Sequence, residues 1–565
     1  DLPAAYMYDH EKRTIIIVYF PPDSLIWAPH RFCELTIREV IEYRPAPRYG
    51  IGLIPTIPNP DFAFPPGTHE FRFWYRQLSV DSSIATTPDV WNAQRTLIET
   101  VMPLLDPEPT LIPDAPGWDV MAHRTLNDLE NEACWITAGS KTGLRAYVKG
   151  SSAVGRDQAQ GFELMTQLDV LLPLLHWRNQ TGEQGADPLI ERLLEAVRAY
   201  QIIEPYHYLT NHYPYQSTDT FMDTWYFYEN ALIKLPWVAY LTGDADLKRT
   251  FLSALEGGKH LARKTNYLMP LFADAKSWEP KNSLLNVSVS GMYAAGNILA
   301  YQMTGDSAYL PEAEKALNAV YHLPTSMLTH EPQQLSFTAA AAQWLRHHYS
   351  LQGKPEAATT IGAAADFVLL ALRMGYWGKD PMVPFYDPRG MFQACASLSY
   401  PAFKENVEVI WAWSELLKTH QETPHHNSKI TSLMLTFANL QRCHNYAFFD
   451  PFLPESMQRG PCAYIPYEDL ATTEFPYTAT LGKELYGAGE VFWSALLFAR
   501  PGFLQDIPAD LLTFSLNVPC LRMEAEANML RRWIIYNPRQ TSVEILNTGH
   551  DMLLEPRSFQ IMEGV

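Results

Sequence analysis

Eleven windows of this chain, one after another, carry apolar residues at i, i+3, i+4 and i+7. They fall at 161–177, 188–200, 221–241, 246–263, 284–303, 308–321, 332–349, 355–373, 405–420, 428–442 and 482–500, and the periodicity predicts a helix over each. The connections between several of them are too short to do more than reverse the chain. Residues 241–246 (LTGDAD) and 303–308 (MTGDSA) both end one helix on Thr-Gly-Asp and start the next, and 351–355 (LQGKP) does the same with Gly then Pro. Glycine supplies the left-handed C-terminal cap, Asp or Ser caps the following helix, and Pro suits a first turn. Such turns make antiparallel hairpins. A run of hairpins buries its apolar faces only by packing side by side, in a closed ring or an open solenoid.

On alternate connections the chain does the opposite. Segments 204–218, 268–283, 375–404 and 444–481 are long, irregular and rich in Trp, Tyr, Pro and carboxylates. Loops of that length inside a compact domain are usually functional, and their recurrence places them on one face, opposite the tight turns.

The two ends differ from the middle. Residues 1–110 read as strands and turns, with the β-branched run 14–20 (TIIIVYF) stopped by Pro21 and Pro22 and further runs at 33–42 and 69–77. A β-sandwich-like domain is expected there, with the Pro-rich stretch 103–116 as linker. Short β-like pieces at 532–536 and 542–546 predict a small terminal β-domain over 504–565, leaving 117–503 to the helices. With 565 residues, more than one domain is expected.

A formal net charge of −19 argues against nucleic acid and anionic membrane surfaces as partners, and no stretch is apolar enough to span a bilayer. Six cysteines without a C-x-x-C pair suggest no metal; Cys443 and Cys462 are a possible bridge. There is no H-E-x-x-H helix, phosphate loop or dinucleotide fingerprint, so no cofactor is expected. A start at Asp1 favours a secreted or periplasmic protein over a cytoplasmic one.

The hairpins turned by LTGDADL and MTGDSAYL, the aromatic loops on alternate connections and the late segment LGKELYGAGEVFWSALLF resemble the (α/α)6-toroid carbohydrate-active enzymes, both glycoside hydrolases and polysaccharide lyases. The resemblance covers roughly residues 117–500 and identifies no particular family. It implies a mainly α fold with flanking β-domains and a carbohydrate substrate.

Two carboxylate clusters fit an acid and a base acting on a glycosidic bond. In 206–230, Asp219 and Asp223 are four apart at the start of a helix, where neighbouring carboxylates can have their pKa values pushed apart. In 464–474, Glu468 and Asp469 stand on a loop before the last helix. A pair drawn from these four is expected to act by inversion. Taken singly, each is as readily explained by dipole compensation or turn chemistry. His212, Tyr213, Trp225, Asp274, Trp278, Glu279, Trp377, Tyr386 and Tyr467 are the expected binding residues. The alternative chemistry is β-elimination from a uronate, for which Asn211, His212, Arg263 and Tyr267 resemble the set used by (α/α) alginate lyases. A helical protein that only binds a partner is the third possibility.

Overall fold

The computed structural model describes residues 4–9, 11–19, 34–35, 53–54, 74–79, 89–101, 109–112, 114–215, 221–281, 284–323, 327–328, 331–354, 363–377, 386–395, 398–418, 428–470, 482–504, 507–523, 531–545 and 552–564. Helix α1 is Asp89–Val101, α2 Trp118–Leu129, α3 Leu164–Thr181 and α4 Asp187–Val197. The next helix, α5, is continuous through Thr224–Tyr226, the wider π-helical Phe227–Lys234 and Leu235–Thr242. Then follow α6 Ala245–Lys264, α7 Val289–Thr304, α8 Tyr309–Tyr321, α9 Pro332–Leu351 and α10 Ala364–Arg373. The last three are α11 Phe403–Lys418, α12 Ser428–His444 and α13 Ala488–Leu497.

The packing closes a ring. Helix α3 packs on α5, α5 on α7, α7 on α9, α9 on α11, α11 on α13, and α13 returns to α3. Each of these six carries an outer partner: α4, α6, α8, α10 and α12 follow their inner helices, and α2 covers α13, so both ends of the helical chain complete one hairpin. The inner helices are buried almost all round. In α9 every residue from Pro332 to Leu345 is buried, whereas the outer α6 buries only one stripe. A helix on the inside of a ring has neighbours on every side, which is why its apolar pattern runs together.

The turns are as the chain's chemistry requires. Gly243 and Gly305 adopt φ of 65° and 74° after α5 and α7, and Asp244 caps α6 through the N–H groups of Asp246 and Leu247. One close approach needs glycine: Pro173 inside α3 has no N–H for the Asp169 carbonyl, and a Cβ at Gly489 of α13 would overlap that oxygen.

One end of the ring is sealed. Between strands Leu512–Ser515 and Arg531–Tyr536, residues 516–523 cross the C-terminal ends of the inner helices. Trp237 Nε1 donates to Cys520 O at 2.7 Å, Trp411 Nε1 to Pro519 O at 2.8 Å, and Gln302 Nε2 to Leu521 O at 2.5 Å. The stacked Trp411 and Trp493 rings, 4.6 Å apart, lie in the same floor. The sheet Leu512–Ser515, Arg531–Tyr536, Phe559–Gly564 is antiparallel, and its Trp533 and Ile535 share a small core with the hairpin Val543–Ile545 and Met552–Leu554.

In the N-terminal part, strands Ala4–Asp9, Thr14–Tyr19 and Trp74–Ser79 form an antiparallel sheet, and α1, absent from the strand-and-turn expectation, packs on it. Its Trp91 stacks on Tyr321 at 5.3 Å and Arg95 pairs with Asp366 at 2.5 Å, fastening it to α8 and α10. Helix α2 is likewise new: one strongly amphipathic stripe, Met121, Ala122, Thr125, Leu126 and Leu129, faces inward. The expected helix 482–500 begins only at Ala488, because Tyr467 pairs with Lys483 and Tyr147 with Glu484 as bridges. The expected Cys443–Cys462 bridge is absent. Cys443 is a free thiol, and Cys462 faces Cys134 with sulfurs 3.7 Å apart.

Candidate active site at the mouth of the ring

Because inner and outer helices alternate, the N-termini of the six inner helices gather at the end opposite the floor. Main-chain bonds bind these starts to the long loops: Leu164 N–H donates to Asn211 O, Thr224 N–H to Leu271 O, and Phe403 N–H to Glu468 O. Carboxylates occupy the same positions. Glu163, Asp223 and Glu331 precede α3, α5 and α9, Glu405 is in the first turn of α11, and Glu468 lies beside that turn on the loop before α13. The positive end of each helix dipole favours an anion there. All five keep part of their surface open.

Their environments push them apart. Burial raises Glu405 to about 7, with Glu468 and Glu229 adding to the rise and Lys404 opposing it. Glu331 is raised well above the carboxylate range by burial and by Glu405, Glu229 and Asp223. Burial also raises Glu468, but three partners favour its ionised form: Arg156, the Tyr147 hydroxyl that donates to Oε2, and Tyr486. Tyr147 and Tyr486 are joined at 2.9 Å, and Arg156 Nη1 donates to Tyr147 Oη at 3.1 Å. Behind them Glu484 is fully buried, and neither oxygen has a hydrogen bond of ordinary geometry among the described residues. Burial raises it well above the usual range, while the nearby Tyr486 hydroxyl favours its charged form. Glycine at 487 leaves room for that carboxylate, which a Cβ would strike.

Beneath the mouth lies a buried lattice of charge. Lys234 donates to Glu229 at 2.6 Å, to Glu408 at 2.5 Å and to Asp169; Lys404 donates to Glu229 and Glu408 at 2.6 Å. Asp169, Glu229 and Glu408 stand close enough to ligate a metal, but Lys234 already supplies the cation to all three. Burial raises Glu408 to about 8 and Glu490 well above the carboxylate range, whereas the two lysines outweigh burial at Glu229 and hold it at about 2. With Glu408 and Glu490 protonated, the two ammoniums face the ionised Glu229 and Asp169, which burial raises and both lysines pull back down. Lys404 also lies 5.0 Å from the centre of the Trp225 ring.

The expected site residues divide. Glu468 is in the mouth. Asp223 is at its rim, accepting the Trp225 N–H at 3.0 Å as an N-cap, and Asp219 lies outside the described residues. Asp469 is fully buried, with its main chain paired to Ala402, so it does not face the opening. His212 is exposed beside Glu163, 3.7 Å from it. Several rings are framework instead of surface: Tyr467 is buried with its hydroxyl on Asp450, Trp377 donates to Leu372 O against Phe437, and Trp278 donates to Tyr206 O. Tyr213 stacks on Phe162, Tyr386 is half-buried against the core, and Trp225 is buried under the mouth. Asp274 closes a turn through the N–H groups of Lys276 and Ser277, and Glu279 pairs with Lys264.

The elimination set is not assembled. Asn211 caps α3 through Met165 N–H, whereas Arg263 and Tyr267 are both taken by Glu312 of the outer helix α8, at 2.8 and 2.9 Å. Glu405, Glu331, Glu163, Tyr147, Arg156 and Tyr486 are the mouth residues the sequence did not single out. Their only common signal is position immediately before or within the first turn of an inner helix, or in the segment facing it.

No family model matches the chain, and no curated protein matches it. Among solved structures it is similar to a family 76 glycoside hydrolase from a bovine Bacteroides thetaiotaomicron strain, at 13% identity over 68% of this chain and 77% of that one, with a TM-score of 0.43. It is similar also to the cellobiose 2-epimerase of Bacillus thermoamylovorans (9% identity, 66% and 98% of the chains, TM-score 0.43). A D-mannose isomerase gives 10% identity over 67% and 99% of the chains, with a TM-score of 0.44. By their descriptions these neighbours act on carbohydrates; the ring described above rests on this chain's own packing.

Proposed function

We propose that the chain is a glycoside hydrolase acting on a neutral or weakly charged glycan, with Glu405 as proton donor and Glu468 as the carboxylate that activates water. The observation that carries this is the difference between neighbours: a partly open glutamate raised to about 7 beside one that burial also raises but whose charge has Arg156 and two phenols as partners. A donor needs a pKa near working pH, and a base needs partners for its charge. The floor closes the far end of the ring, so substrate enters at the mouth, where His212 and Phe221 are exposed at the rim. Inversion is the expected outcome, with water activated on the face opposite the donor. A uronate polymer suits this mouth poorly, because carboxyl groups ring it and the charge of Arg156 already faces Glu468 across Tyr147.

The test is a panel of neutral and uronate-containing glycans, reading new reducing ends, the ultraviolet absorbance of an unsaturated uronate, and the anomer first released by NMR. Reducing ends from a neutral glycan without that absorbance are expected. Unsaturated products would contradict hydrolysis, and epimerised or isomerised sugar without cleavage would contradict it equally.

A further inference from the structure

A second cavity, away from the mouth, has the opposite electrostatic character. It measures about 800 Å³ and lies between the start of α2, the end of α13 and the C-terminal sheet. That is the size of a small-ligand site. Its walls carry Lys418, Arg442, Arg500, Arg522, Arg531 and Arg532 against two carboxylates, Asp114 and Asp119, in a chain whose formal net charge is −19.

Arg522 Nε pairs with the Glu415 carboxylate at 2.7 Å, and Lys418 donates to the Val518 carbonyl. Arg442, Arg500, Arg531 and Arg532 have no carboxylate at ion-pair distance among the described residues. Arg500 spends its donors on the carbonyls of Ile507 at 2.9 Å and of Pro508 and Leu511 at 3.2 Å, and Arg442 reaches Ala509 O at 3.2 Å. Carbonyls fix the direction of a guanidinium without cancelling its charge. Asp510, whose charge reaches both Arg442 and Arg500, is itself engaged by Nε and Nη2 of Arg539, at 2.5 and 2.7 Å. Arg442 and Arg500 repel one another, which adds to burial in lowering Arg500. The guanidiniums of Arg531 and Arg532 make no hydrogen bond or ion pair that the structure shows among the described residues.

Arg531 is exposed and Arg532 half-buried, but holding Arg442 and the desolvated Arg500 side by side costs free energy unless an anion joins them. The same walls include the half-buried Phe498, an apolar face beside the charges, and the edges of the mutually stacked Trp118 and Tyr446. We propose that this cavity binds a small cyclic anion of sugar size, a sugar carrying a carboxylate or a phosphate. The site is independent of the mouth and of the reaction assigned there.

Calorimetric titration of the intact protein in low salt tests this with glucuronate, glucose 6-phosphate, inorganic sulfate and glucose. The expected result is saturable binding of at least one of the two sugar anions with Kd below about 1 mM, weakened by added salt, and none of glucose. The double variant Arg531→Gln/Arg532→Gln, whose side chains make no shown bond that folding would lose, should weaken it by at least about tenfold at unchanged unfolding temperature. Glu468→Gln should leave it as it is. Sulfate binding as tightly as the sugar anions would overturn the sugar part of the proposal. No binding of any anion, or binding untouched by the double variant, would overturn it entirely.

Discussion

Glu468→Gln leaves the chain folded and lowers turnover about 10²- to 10⁴-fold, the contribution usual for a positioned base. The amide keeps the shape of the carboxylate and an oxygen for the Tyr147 hydroxyl, so the bonds linking Tyr147, Tyr486 and Arg156 survive. What it cannot do is take a proton. The loss should therefore fall on kcat, with KM changed only a few-fold, because the groups that meet substrate at the rim are untouched. Unfolding temperature measured beside the kinetics separates this from damage to the fold. Turnover within a few-fold of the parent would remove Glu468 from the mechanism.

The largest effect on stability is expected in the lattice below the mouth. Lys404→Met keeps the length of the side chain but takes the ammonium from Glu229 and Glu408, each 2.6 Å away. Breaking a buried pair from one side strands charge in a medium that cannot solvate it, which costs about 3–5 kcal/mol. The pH dependence gives a second check. In the parent, Glu229 is held at about 2, below its ordinary 4.5, so it adds stability that is present above 4.5 and lost as pH falls toward 2. Without Lys404 its folded pKa rises, and the stabilising increment shrinks or reverses. The destabilisation should thus be larger at pH 8 than at pH 4, measured by denaturant unfolding at both. Equal losses at the two would mean that packing around Trp225, not charge, is what Lys404 provides.

Much of the ring was legible in the chain because hairpin turns are local chemistry. Thr-Gly-Asp needs only a left-handed glycine and a capping aspartate, and both turns are found where 241–246 and 303–308 place them. Outer helices announce themselves by a single stripe, as α6 does. Inner helices do not, since burial on every side erases the stripe that separates a core face from a solvent face. That is why Lys404 and Glu408, four apart on α11, look like an exposed pair and are in fact fully buried. The site failed to show for the same reason. Glu405 sits in an ordinary amphipathic stretch, and its raised pKa depends on burial and on Glu468 and Glu229, which are distant in sequence and come near it only when the ring closes. Aromatic loops misled in the other direction: Trp377, Trp278 and Tyr467 are rich in sugar-binding surface as residue types, yet each spends its polar atom fastening a loop to the frame.

The central claim is that Glu405 keeps its proton up to near neutrality, and the titration of its carboxyl group tests this without need of a substrate. In protein labelled with ¹³C at the glutamate carboxyl, the difference between the parent and Glu405→Gln isolates one resonance. A transition near pH 7 is the predicted result. A transition near the ordinary 4.5 would leave no donor at this position and contradict the mechanism.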